Sequence, residues 1–452
     1  SANGAANGIV LNNYPTGSTF AVTGTGTPGS GGTIQSTTGP GILLTNAAGI
    51  SLARMIIQNG ADDGIRGTTV TGFTLTNSTL QNNGNAIGPF NAGDNGLDFT
   101  NLVGTASITS STITGSFHNN VIIRNSTGTL SGLTVTGATI SNNVSATDGD
   151  GFLFEASGTA NMSVNVSGST FSAHQGDHFQ AAALNSGVLN VVFSGNTLSG
   201  GHAFALGQGI TINAATGVPG YLGSVSYDLA GNTINGAISN AIFVGLGTSA
   251  ASSSMIGKIR NNIIGTSGVA LSCSTQANGV YVDARGNGTF TSAVTGNVIR
   301  QCFDRGILSE AGDGDSVLNL TVTGNTIDQQ VGALAREAIQ TNHGITSTNV
   351  FGNVDNNVVC VQLGGAGALA NTFSHGSGAP DDFRLRKRFE ATVRLPGYAG
   401  NTGQDAGSLN QVVGFIRGQN TGSAGEPGSA SASGVGGGYT NTTGGAACPL
   451  PP

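Results

Sequence analysis

Three kinds of side-chain cluster in this 452-residue chain could do chemistry: neighbouring carboxylates, one histidine/acid group and one basic run. Asp62-Asp63-Gly64 sets two carboxylates side by side, the pairing that acid–base work on a glycosidic bond requires, although a solvated turn uses the same residues. Asp148-Gly149-Asp150 and Asp313-Gly314-Asp315 share a spacing that suits oxygen ligands for calcium, with Glu155, Asp304 and Glu310 near strands beside them. Neither carries the full calcium-loop pattern. Calcium is the one cofactor left open, and no other is expected. His174, Asp177 and His178 form the single His/acid group. Ligands at that spacing want a helix, whereas this stretch reads as turn and strand, so a structural role is expected. Arg384, Arg386, Lys387 and Arg388 suit an anionic glycan, a lipid or an acidic subunit, and equally a solvated cap face. No catalytic residue follows from these patterns. Asp62, Asp63, Asp148, Asp150, Asp313 and Asp315 stand only as polar-site candidates.

What must position these groups is a repeat. One phrase returns along the chain, reading apolar, any, Gly or Asn, Asn or small, Thr, apolar: "LTNSTL" at 75–80, "VTGATI" at 135–140, "VSGSTF" at 166–171, "FSGNTL" at 193–198, "LAGNTI" at 229–234 and "VTGNTI" at 322–327. Its closing apolar residues run Ile57, Leu80, Ile113, Ile140, Phe171, Leu198, Ile234, Ile264, Ile299, Ile327 and Val359, a step of about 30 residues on average and in the range of solenoid repeats. A second apolar string follows most of them, as in Ile65, Val121-Ile122-Ile123, Phe152-Leu153-Phe154, Phe204-Ala205-Leu206, Ile242-Phe243-Val244, Val269-Ala270-Leu271 and Ile307-Leu308. Each repeat therefore holds two or three short strands joined by Gly/Asn turns. A lone triplet of this kind has nowhere to bury its apolar side. Stacked copies bury it together, with Ile over Ile, Thr over Thr and Asn over Asn, and stacked amides hydrogen-bond from coil to coil. The pattern predicts an all-β, right-handed parallel β-helix of about 12–13 coils over residues 1–375. It starts at once, in Ile9-Val10-Leu11, Phe20 to Val22, Thr33-Ile34 and Ile42-Leu43-Leu44, which predicts no N-terminal cap.

Composition agrees and excludes several partners. Glycine supplies 76 residues and charged side chains only 8%, yet 37% of the chain is hydrophobic, so it is a folded β-rich chain rather than a disordered one. A thin net charge of −7 offers no basic face for nucleic acid, and no apolar run is long enough to span a membrane. Cys273 and Cys302 fall in consecutive repeats, where a staple between neighbouring coils is within disulfide reach, although their offsets from the closing residues differ. Cys360 and Cys448 would then pair and pin the tail. Four buried thiols are the alternative.

The phrase stops after Val359 and the basic residues crowd into 384–394. The stretches 388–395 and 409–416 read as strands of a C-terminal capping β-element over 376–417, and 418–452 as a tail rich in Gly, Ser and Thr.

The "VTGNTI"-type phrases and the opening "GGTIQSTTGPGILLTNAAGISL" at 31–52 resemble secreted bacterial β-strand-repeat proteins, similar to autotransporter passengers and other surface adhesins; the resemblance covers about 1–360. It implies an extracellular protein of the cell surface, an adhesin or a self-assembling filament subunit, with other copies of itself or surface and matrix glycans as partners. The competing expectation is a polysaccharide lyase or glycoside hydrolase of the pectin-lyase-like type. Asp62-Asp63-Gly64 resembles the paired-Asp element of polygalacturonases, but the later Asn-Thr-Asp, Gly-His-Gly and Arg-x-Lys elements are missing.

Overall fold

A computed structural model describes residues 1–86, 93–144, 149–200, 206–214, 223–248, 253–328, 336–375, 381–421 and 430–452. Two compact units make up the chain, Ser1–Ile210 and Thr211–Pro452.

Among the described residues of the first unit the coils have three arms, and every strand pairing is parallel. Val121–Asn125, Thr129–Thr136 and Thr139–Ser141 make up one such coil, and the next repeats it as Phe152–Ala156, Asn161–Ser167 and Thr170–Ser172. The closing apolar residues form one column, with Ile57 on Leu80, Ile113, Ile140, Phe171 and Leu198 in register, all buried. Beside them Phe152, Phe179 and Phe193 fill the interior with edge and tilted ring contacts at 4.7–5.5 Å. Burying each ring contributes roughly 1.5–3 kcal/mol. The third position of the phrase is the corner between the second and third arms. It lies in the left-handed region, φ 49° at Asn77 and 60° at Gly137, where Gly and Asn cost least, which is why the sequence alternates between those two residues there.

The second unit repeats this plan. Ile234, Ile264, Ile299 and Ile327 stack in one column, but its next member is Phe373 and not Val359. Val359 belongs to the second arm, over Leu318, because a longer insertion delays the third arm. The apolar triplet Val269-Ala270-Leu271 is likewise no strand. Val269 is 52% exposed, and the first arm of that coil is Val280–Arg285. Phe204 and Ala205 lie outside the described residues, and the neighbouring strand is Ile210–Ala214.

A buried row of amides accompanies the isoleucines. Asn232, Asn262, Asn297, Asn325 and Asn371 each pass a side-chain Nδ2–H to the Oδ1 of the next asparagine, ending at Asn420, at 2.9 Å in all five steps. In the first unit the same position holds Ser78, Ser111, Ala138 and Ser169 before Asn196, and the serine hydroxyls accept a backbone N–H instead.

Parallel pairing continues past residue 375, through Phe383–Lys387 and Thr392–Arg394 to Ala430–Gly434 and Tyr439–Thr440. Between them residues 406–418 form a helix where 409–416 had read as a strand. Leu409, Val412, Val413 and Ile416 recur at helical spacing, and the Asp405 carboxylate caps the first turn by accepting from Ser408 N–H at 3.0 Å. The cysteines are bonded as Cys273–Cys302 and Cys360–Cys448, with Cα separations of 4.7 and 5.6 Å.

Candidate functional site

At the turn from third arm to first arm, a polar side chain must accept the backbone N–H of the following coil. In the first unit Asp63, Asn95, Asn119, Asp150 and Asp177 do this in sequence, each accepting the N–H of the next at 2.6–3.0 Å, and Asp177 accepts from Gln208. Two of the sequence candidates, Asp63 and Asp150, are thus members of one structural column, buried to 0% and 4% exposure. Asp62 stays at the surface and shares Arg66 with Asp63. Asp148 lies outside the described residues. His174 and His178 are buried side by side with their Nδ1 atoms 2.7 Å apart, next to Phe171.

Burial, reinforced by the Asp98 carboxylate and opposed by Arg66, pushes Asp63 up to about 7. Between its ordinary value of 3.8 and that value the folded chain keeps a proton that the unfolded chain has lost. Stability therefore falls as pH rises from about 4 to about 7 and levels off above. Asp63→Asn keeps the acceptor for Asn95 N–H and removes the titration. In thermal melts between pH 4 and 9 its stability changes less across this window than the wild type's, by up to a few kcal/mol.

The second unit assembles a different arrangement, on the outward side of the first arms. Register places Phe243, Tyr281, Leu308, Gln340 and Arg384 in one outward column. Two residues along, Gly245, Asp283, Glu310, Asn342 and Arg386 form a second. Phe243 and Tyr281 pair with ring centroids 5.3 Å apart, and a Cβ at Gly245 would sit 2.7 Å from the Phe243 ring. Arg285 binds three carboxylates, one from its own coil and two from the next: Asp283 at 2.6 Å, Glu310 at 2.9 Å and Asp313 at 3.1 Å. Glu310 also accepts from the Tyr281 hydroxyl at 2.8 Å and, through Oε1, from Asn342 Nδ2–H at 2.9 Å. Farther along, Arg305 holds Asp304 and Gln340, while Glu337 accepts from Arg384 at 3.0 Å.

No protein-family model, curated protein or solved structure matches this chain.

The arrangement itself states what the face can do. Its floor is nearly dry, with Leu308, Gln340 and Asn342 at 7%, 3% and 7% exposure, while Phe243, Tyr281, Arg285, Arg384 and Arg386 remain partly open. Burial is the main cause that pushes Asp283 up to about 7, against Arg285 and helped by Glu310, which puts one carboxyl in the range for proton transfer. Burial, together with the neighbouring carboxylates, also raises the Tyr281 hydroxyl, so it stays a donor. Of the sequence candidates, Asp313 joins this face through Arg285 and Thr346, whereas Asp315 is exposed and contributes a backbone N–H to Asn287. The basic run divides. Arg384 and Arg386 point outward, but Lys387 is buried and donates to the carbonyls of Phe389 and Val435, because strand alternation turns it inward. Among the described residues, no group of three or more His, Cys, Asp or Glu side chains could hold a metal ion, and no helix is long and apolar enough to cross a membrane.

Tyr281, Asp283, Arg285, Asn342 and Phe243 escaped the sequence reading. The signal was present in "VYVDAR", "ILSEAG", "IQTNH" and "FRLRK", whose second and fourth residues share the two outward columns, but it emerges only once these strings are aligned as first arms.

Proposed function

We propose that the chain is an extracellular structural protein of a bacterial surface, an adhesin-type solenoid that holds glycans along the outward first-arm face of its second unit. The observation that carries this reading is the pair of registered columns, where an aromatic pair, carboxylates, amides and arginines follow one another coil by coil. Sugar rings are bound by this combination: aromatic faces stack on C–H surfaces, and fixed amides and charged groups exchange hydrogen bonds with hydroxyls. Two disulfides and no free cysteine among the described residues fit an oxidising compartment. The test is binding of the intact chain to oligosaccharides of six or more units by calorimetry. Phe243→Ala and Tyr281→Phe are expected to weaken binding several-fold, the first more than the second, at temperatures where melting curves show each variant fully folded. Equal affinity in both variants and wild type sinks the reading.

End-to-end assembly belongs to the same proposal. Ile9–Asn12 pairs with Ile42–Ala53, and among the described residues its other edge has no strand partner. Such an edge accepts a further coil, from a second copy of the chain or from chain preceding it. Electron microscopy of concentrated protein is expected to show fibres. A field of dispersed monomers counts against a filament.

A second reading, a polysaccharide lyase or hydrolase, is favoured by Asp283 alone, since its raised pKa and its neighbour Glu310 are what acid–base cleavage uses. Both oxygens of Glu310 already accept from Tyr281, Arg285 and Asn342, which favours a holding role. Release of reducing ends or unsaturated products from uronate polymers, abolished by Asp283→Asn, would establish the second reading.

A further inference from the structure

We propose that Asn342 and Arg386 form a subsite for an acidic sugar, in which the Asn342 carbonyl accepts a ring hydroxyl and Arg386 takes the adjoining carboxylate or sulfate. The inference rests on the glycan-holding face proposed above and assigns it a ligand class.

Asn342 and Arg386 are direct partners on neighbouring coils, and strand alternation turns both outward. The orientation of the Asn342 amide is fixed by chemistry. Its Nδ2–H donates to the Glu310 carboxylate, which is acceptor-only when ionised, so the amide cannot be turned over without setting two acceptors face to face. That leaves Oδ1 on the other side, and this oxygen is buried with no donor among the described residues. The residue is 7% exposed, so the orphaned acceptor is an expensive feature on a strand whose inward Thr341 hydroxyl also lacks a partner. A hydroxyl donor supplied by a ligand removes that cost.

Arg386, on the neighbouring strand, has a different surplus. Arg285, Arg305, Arg336 and Arg384 each have a carboxylate within ion-pair distance, whereas no ion pair among the described residues includes Arg386. Burial disfavours its charged form and Arg384 and Arg388 repel it, against the pull of Glu337, while the guanidinium stays protonated. An anion placed here relieves that crowding. A donor-seeking oxygen and an unpaired guanidinium on adjacent coils, whose strands lie about 4.8 Å apart, fit a unit that carries a hydroxyl next to an anionic group. Uronic acids and sulfated sugars share that chemistry. Phe243 lies four coils away, roughly 19 Å at the parallel strand spacing, so one oligosaccharide of a few units reaches both the aromatic pair and the anion subsite.

The test is titration calorimetry on the full chain with three hexasaccharides: oligogalacturonate, a sulfated galactan and the neutral galactan. The charged ligands are expected to bind at least about tenfold more tightly than the neutral one, and to lose that advantage in 0.5 M salt or in Arg386→Ala. Asn342→Leu should weaken charged and neutral ligands alike, and Arg386→Gln serves if the alanine variant melts early. Comparison of the two charged ligands decides between carboxylate and sulfate. Equal affinity for all three, or a charge preference that survives both Arg386 variants, overturns the subsite while leaving the glycan face intact. Failure of all three to bind overturns the face itself.

Discussion

Removing the Cys360–Cys448 bond, by Cys360→Ser with Cys448→Ser, lowers the stability of the second unit by about 4–5 kcal/mol. The bond spans 88 residues, and cross-linking a loop of that length takes this much conformational freedom from the unfolded chain on the chain-entropy account. Cys360 stands in the strand Val358–Leu363 and Cys448 in the terminal segment, and both are nearly buried. The terminal segment has few anchors of its own beyond the short strand Tyr439–Thr440. In the variant it is expected to become the first site of protease cleavage, well before global melting. Losing Cys273–Cys302, which spans 29 residues between neighbouring coils, costs less, about 3–4 kcal/mol. Thermal melts and limited proteolysis with and without reductant check both figures. A melting temperature unchanged by reductant would show that packing alone holds the tail.

Much of the architecture could be read from spacing because the repeat's strongest signal is steric. Asn77 and Gly137 occupy the same left-handed corner, and Ile140 and Phe171 the same interior column, so one phrase fixes both the turn and the core. The signal failed where insertions changed the count between arms. Val269-Ala270-Leu271 has the right composition at the expected distance, yet it belongs to an exposed insertion, and the arm arrives nine residues later at Val280. Val359 failed for the same reason, one arm out of place. The helix at 406–418 was hidden because Leu409, Val412, Val413 and Ile416 also satisfy a loose strand pattern over eight residues, and only the Asp405 cap separates the two.

The candidate site was less legible, for a physical reason. A β-helix brings together residues that are one coil apart, so chemistry is written across repeats rather than within them. Asp62-Asp63 and Asp148-Gly149-Asp150 looked like sites because their carboxylates are adjacent in sequence, but Asp63 and Asp150 are employed in capping backbone N–H groups. Asp283, Glu310 and Asn342 are separated by 27 and 32 residues and carry no local motif, yet they stand on consecutive coils.

The amide row in the second unit is expected to be its most sensitive single element. Asn297→Ala costs about 3–5 kcal/mol, because it orphans more than itself. Asn297 Oδ1 accepts both the backbone N–H and the side-chain Nδ2–H of Asn262, at 3.0 and 2.9 Å, in a fully buried setting. Each buried donor left without an acceptor costs about 1–3 kcal/mol, and the carbonyl of Ile259 and the Oδ1 of Asn325 lose a donor as well. The first unit supplies the comparison, since Ser111 and Ser169 at the equivalent position accept the backbone N–H alone. Asn297→Ser should therefore retain the backbone half of the interaction and cost measurably less than Asn297→Ala. Denaturant midpoints of the two variants, at unchanged slope, separate the contributions. If serine and alanine prove equally damaging, the backbone bond contributes little and the amide-to-amide chain carries the row; if both are mild, neighbouring isoleucines alone keep the coils in register.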